Sequence, residues 1–189
     1  MKKIIAIVLA LTVIFAFAAC GGKKTPTDAQ ESSYADSVEV FTKVFDAYAE
    51  ENKFPVGGGD EANMSMEKPA KYDIALTDEL ANVVAFPASQ AANIEDAATA
   101  MNMMMANNFS AGAYKLKDGA DVQAFADDYA AGLEGRQWMC GMPEKFVVVS
   151  TGSFVITAYG LADVIEYFKT TAAAALENAQ VLAEGDITA

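Results

Sequence analysis

The sequence predicts an α+β domain. Its centre is a four-stranded antiparallel sheet made of two hairpin-helix units with helices packed on it, and it follows an N-terminal export segment and a tether. Three observations carry this prediction. Lys145 to Ser150 (KFVVVS) and Ser153 to Tyr159 (SFVITAY) are β-branched and aromatic runs around Thr151-Gly152, the pattern of a hairpin. Ala98 to Met105 and Phe109 to Lys117 flank Ala106-Asn107-Asn108 in a similar way. Each pair is followed by a stretch whose apolar residues recur at helical spacing.

The chain opens MKKIIAIVLALTVIFAFAAC. Lys2 and Lys3 give a positive start, and Ile4 to Ala19 run for 16 residues without a charge. A bilayer-spanning helix needs about 20 apolar residues, so this run reads as a secretory signal with a cut beside the small Ala18 and Ala19. Phe17-Ala18-Ala19-Cys20 resembles the bacterial lipobox, and the resemblance implies a diacylglycerol on the Cys20 thiol. Two acyl chains hold a soluble domain at a membrane. Residues 21–35 (GGKKTPTDAQESSYA) are polar and small, and read as a flexible tether. The expected organisation is thus signal and lipobox over 1–20, tether over 21–35, a helical and loop region over 36–92, the α+β core over 93–182, and a tail over 183–189.

Removing residues 1–19 from the 189-residue chain leaves 170, enough for one domain with a core. It also removes two of the 13 basic residues, so 11 face 26 acidic ones, a balance of −15. That charge repels nucleic acid and anionic lipid. With no histidine, Ser-His-Asp and Cys-His nucleophile systems and His-containing zinc sites are excluded. Of the two cysteines, lipid on Cys20 would leave Cys140 without an intramolecular disulfide partner, and Cys140 reads as a buried structural thiol.

Residues 36–51 read as a helix with Val38, Phe41, Val44, Phe45 and Tyr48 on its apolar face and Asp36 or Ser37 as cap. Pro55, Gly57-Gly58-Gly59 and Pro69 make residues 52–73 a connecting loop. The glycine run lacks the Gly-Lys-Ser/Thr of a phosphate cradle. Thr77 to Ala85 read as a short helix capped by Thr77. Alanine and methionine favour helix, so residues 94–105 stay open between strand and helix, with the Met101, Met103, Met104 and Met105 cluster expected to face the core. Asp118 to Gln137 read as a helix with Val122, Phe125, Tyr129 and Leu133 as its stripe. Asp127 and Asp128 point about 100° apart on it and form no metal pair. Val147-Val148-Val149 suggests a strand covered on both faces. Leu161 to about Leu182 read as the last helix, with both long helices on one face of the sheet and a frayed tail beyond.

The order of these features resembles the domain of unknown function 4358 family, which occurs in lipoproteins and secreted proteins of Gram-positive, often gut-dwelling, bacteria. The likeness spans residues 72 to about 172, with a lipobox and an acidic stretch before it. A Met-rich segment ends at Met105, an Asn-containing turn follows, and a strand closes in Lys115-Leu116-Lys117-Asp118. After a long helix come Pro143-Glu144, a Gly152-x-Phe154 hairpin and a last helix. The resemblance implies no activity, so no catalytic residue is carried over.

The functional expectation is a non-enzymatic, lipid-anchored domain that meets an envelope protein or small ligand, with no cofactor, metal or nucleic acid. Tyr114, Trp138 and Tyr159 are candidates for a contact surface if they gather on one exposed patch. The rival is a carboxylate-dependent envelope hydrolase, which needs two acids facing each other across a cleft.

Overall fold

The structure, a computed structural model, describes residues 33–138 and 141–188. In chain order its elements are α1 (Ser37–Asp46), β1 (Val56–Gly57), β2 (Ala70–Lys71), α2 (Thr77–Val84), β3 (Ile94–Asn102) and β4 (Phe109–Leu116). Then follow α3 (Val122–Leu133), β5 (Lys145–Thr151), β6 (Phe154–Gly160), α4 (Ala162–Ala175) and β7 (Gln180–Asp186). Short 3-10 turns cover Glu50–Asn52, Ala88–Asn93 and Ala106–Asn108.

The strands form one antiparallel sheet of seven, not four, in the order β1-β3-β4-β6-β5-β7, with β2 also paired to β3. Both expected hairpins are present, and β4 joins them by pairing with β6 from Phe109↔Gly160 to Lys115↔Phe154. Residues 94–102 are strand: β3 lies between β4 and the short β1 and β2, and sheet pairing overrides the helical preference of its alanines. The second turn is Gly152-Ser153, with Gly152 at φ 57°, because Thr151 still pairs with Phe154.

Both faces of the sheet are covered. α1 and α4 pack on one face, where Val40, Phe41, Val44, Ile165 and Phe168 meet Ala98, Ala100, Ala111, Ala113 and Ala158. α2 and α3 pack on the other, where Leu80, Val84, Phe125 and Tyr129 meet Ala97, Tyr114, Val148 and Val155. The two long helices therefore lie on opposite faces rather than together. Each hairpin has apolar side chains on both sides, and leaving either side open would expose Tyr114, Val148 and Val155 or Phe109, Val147 and Ile156. Val147, Val148 and Val149 are all fully buried, as their unbroken run suggests.

Helix limits follow local chemistry. Asp36 caps α1 by accepting from the Glu39 N–H at 2.8 Å. α1 ends at Asp46, short of the expected limit at residue 51. Asp121 caps α3 from the N–H groups of Gln123 and Ala124. Gly119 and Gly135, at φ 79° and 68°, flank α3 and shorten the expected helix at both ends. Thr77 lies inside α2, whose cap position falls on Leu76.

The largest departure is at the C-terminal end. α4 ends at Ala175, Asn178 takes a left-handed turn (φ 52°), and Gln180–Asp186 add a strand to β5 where a helix end and a frayed tail were expected. β7 closes the edge of a valine-rich strand, and open apolar edges recruit other chains. Lys169 bridges Glu166 of α4 and Glu184 of β7 at 2.6 and 2.7 Å. A chain truncated after Asn178 is expected to self-associate in light scattering at concentrations where the intact protein stays dispersed. Loss of the packed Leu182, Ala183 and Ile187 is expected to lower its Tm by about 5–10 °C.

Candidate functional site

The segment between α1 and α2 shapes a groove lined by aromatic side chains. Its organiser is Asp60, which is only 5% exposed. Its carboxylate accepts from the backbone N–H groups of Ala62, Asn63 and Asp73 at 2.8, 3.0 and 2.7 Å, and from Asn63 Nδ2 at 2.9 Å. Burial pushes the Asp60 pKa up, but those hydrogen bonds from Asn63, Asp73 and Ala62 outweigh it and hold it below the ordinary value. Within the glycine run, Gly57 ends β1, Gly58 makes an isolated bridge to Ser65 and Gly59 lies outside any strand. A Cβ on Gly58 would strike the Thr99 carbonyl and the Ala70 N–H, so β1 and β2 can close on β3 only with glycine there. The Gly59 N–H donates to Thr99 Oγ1 at 2.8 Å.

This arrangement sets Phe54, Val56 and Pro69 against the C-terminal end of α1 and encloses a groove of about 310 Å³. Phe45, Tyr48, Phe54, Val56 and Pro69 form its apolar walls, and Asp46, Lys53, Glu67 and Lys68 its charged lining. A second recess of about 180 Å³ lies on the α4 side, lined by Asn52, Asp163, Val164 and Tyr167. Tyr48 and Phe54 belong to both. The aromatic rings are in mutual contact: Tyr48 stands edge-on to Tyr167 at 4.9 Å, Phe45 is 5.2 Å from Tyr48, and Phe54 is 5.3 Å from Phe109. The Tyr167 hydroxyl accepts from the Ala49 N–H at 3.1 Å. The Tyr48 hydroxyl is buried and has no hydrogen-bond partner among the described residues. Such a group costs about 1–3 kcal/mol until something bonds to it.

The other candidates fall elsewhere. Tyr114 and Tyr159 are buried under α2 and α3, and Trp138 is half-buried against Tyr159, with ring centroids 4.9 Å apart. They form no exposed patch. Tyr159 and the Arg136–Trp138 pair hold α2 instead: the Tyr159 hydroxyl donates to the Val83 carbonyl at 3.0 Å, and Arg136, lying over Trp138, donates to the carbonyls of Ala81 and Asn82 at 3.1 and 2.7 Å. These bonds satisfy carbonyls at the end of a helix.

Asp127 accepts from Gln123, while Asp128 accepts from Ser89 and Gln90 at 2.6 Å each, so the two do not converge. Asp73, Glu95 and Asp96 share a surface recess with Lys71. Glu95 pairs with Lys115 at 2.7 Å, and Asp96 accepts from the Ser37 N–H at 2.8 Å and faces Lys71 at 3.5 Å. Among the described residues, no three His, Cys, Asp or Glu side chains gather as a metal site. No helix there is long and apolar enough to cross a membrane. Cys20, Cys140 and most of the tether lie outside the described residues.

No family model, no curated protein and no solved structure matches this chain.

Burial raises the pKa of Tyr48, Tyr72, Tyr114, Tyr129 and Tyr159 above the ordinary tyrosine value. A raised folded-state value means that the native chain holds these protons when the unfolded chain has released them. Their contribution to stability is complete below about pH 10 and falls as pH climbs beyond it. Absorbance at the tyrosinate wavelength is expected to rise in two stages. The later stage should coincide with cooperative loss of the circular dichroism signal, and a single ordinary titration with the fold intact would contradict this.

Proposed function

We propose that this chain is an extracytoplasmic lipoprotein of the bacterial cell envelope, held at the membrane by lipid on Cys20. Its folded domain binds a small ligand or a short peptide segment without catalysing a reaction. The observation that carries the binding reading is the aromatic wall of Tyr48 and Phe54, which two adjoining recesses share. An apolar lining with a few polar groups suits a ligand with an apolar body and one hydrogen-bonding group. The anchoring reading rests on the lipobox-like Phe17-Ala18-Ala19-Cys20. Membership in the domain of unknown function 4358 family belongs to the same proposal and rests on the order of motifs along the chain.

Two measurements test it. Cells fed a clickable fatty acid are expected to label the wild-type chain, which should sediment with membranes. Cys20→Ser is expected to lose the label; a labelled Cys20→Ser chain would remove the anchor from the proposal.

The second measurement is native mass spectrometry after incubation with envelope extract and spent medium from the host. It is expected to give a reproducible bound mass. Phe54→Ala should weaken that binding about tenfold, and Tyr48→Ala by a similar factor. A bare chain, or a bound mass indifferent to both substitutions, would reject the groove as the binding surface.

A further inference from the structure

The methionines are distributed in an unusual way. After the export segment the chain has three groups: Met64 and Met66; Met101, Met103, Met104 and Met105; Met139 and Met142. The fold carries described members of all three to one end of the sheet. β1 pairs with the last residues of β3, with Gly57 opposite Met101. Ser65 bridges to Gly58, exchanging both backbone hydrogen bonds at 2.9 Å. A Cβ on Gly57 would strike both the Met103 sulfur and the Ser65 carbonyl, so the Met103 thioether lies against the residue that separates Met64 from Met66. On the far side, Asn107 Nδ2 donates to the Gly141 carbonyl at 2.6 Å, which ties the turn after Met105 to the residue before Met142.

Most of the described methionines lie at the surface: of the 101–105 cluster, expected to face the core, Met101 and Met103 are half-buried while Met104 and Met105 are exposed. Met104 is 80% exposed, Met64 66%, Met66 60%, Met105 49% and Met142 37%. Among the described residues the only other exposed large hydrophobic side chain is Val181. Methionine-rich surfaces can bind varied apolar partners, a use that does not call for thioethers alone. Among the described residues the exposed large apolar side chains are thioethers with the exception of Val181, and what distinguishes a thioether is its sulfur. Thioether sulfur is neutral, polarisable and soft, and it selects Cu(I) over hard or borderline cations.

We infer that this end of the sheet is a site for a soft monovalent cation, Cu(I), with Ag(I) as its chemical equivalent. The ligands are thioethers drawn from Met64, Met66, Met103, Met104, Met105 and Met142. Three rotatable bonds let each unbranched side chain swing to the ion without moving the backbone. The site needs no histidine, which the chain lacks, and no deprotonation. The inference stands apart from the groove, which is built by other side chains, and it departs from the metal-free expectation drawn from the sequence.

The test uses the full-length chain with Cys20→Ser and Cys140→Ser, so that no thiol contributes, extracted in detergent. Cu(I) is supplied without oxygen as its complex with a chromogenic chelator. The protein is expected to withdraw one Cu(I) per chain. Uptake should be equal between about pH 5 and pH 7, where thioethers carry no proton to lose, and unaffected by excess Zn(II). Met66→Leu, Met104→Leu and Met105→Leu together keep side-chain volume and are expected to weaken uptake at least tenfold with an unchanged Tm. Tyr48→Ala and Phe54→Ala should leave uptake intact, which separates this site from the groove. Failure to withdraw Cu(I), uptake that the leucine substitutions do not reduce, or uptake that Zn(II) displaces would each overturn the inference.

Discussion

The pairing of β4 with β6 is the constraint on which the architecture depends. It is the seam between two hairpins, and seven residue pairs hold it. Apart from Lys115, both strands are buried from end to end. Strands covered on both faces cannot carry large side chains everywhere and still let helices approach. The centre of the sheet is accordingly built small, with Ala97, Ala98, Ala100, Ala111, Gly112, Ala113 and Ala158. The helices supply the bulk, with Phe41 and Phe168 on one side and Phe125 and Tyr129 on the other. Gly112 shows how tight this fit is, since any Cβ there would meet the hydroxyl of Tyr114. Close packing of this kind transmits a change in volume directly to its neighbours.

The same economy explains where the surface features lie. The outer edge of β3 is finished by two very short strands, and the intervening chain is free to fold outward into a loop held by Asp60. That loop supplies the groove wall on one side and one of the methionine groups on the other. The groove and the exposed methionines thus draw on the segment with the least regular structure, set on a rigid sheet edge, the usual place for surface variation.

Much of the fold was legible in the sequence because its signals are local. KFVVVS and SFVITAY are strand-like by side-chain type alone, and Asp36 and Asp121 announce helix starts. What was hidden depends on tertiary context. QVLAEGD has neither alternation nor β-branched density, and it becomes a strand because β5 offers an open edge. The signal that could have placed the end of α4 is Asn178, a residue type that tolerates left-handed backbone. The face of α3 was unreadable for a similar reason: its stripe is clear, but the side of the sheet on which it lands depends on which layer the other helices leave vacant. Of the candidate surface, the Met-rich run is visible in the sequence, but nothing local distinguishes it from core, where apolar residues usually go. Tyr48 was placed on an apolar face, but its orphaned hydroxyl depends on neighbours far away in the chain, such as Tyr167.

The first described residues have a consequence for orientation. Tyr34 stands edge-on to Phe154 at 6.3 Å, and its hydroxyl accepts from the Glu177 N–H at 2.9 Å. This pins the start of the folded body beside the β5–β6 turn. The methionine turn after β3 and the Phe54 groove near Phe109 lie at the other end of the same strands, roughly 20 Å away at the ordinary rise per residue. The molecule therefore has two poles. The chain enters the folded body at the Tyr34 pole, and the exposed thioethers and the aromatic groove stand at the opposite one.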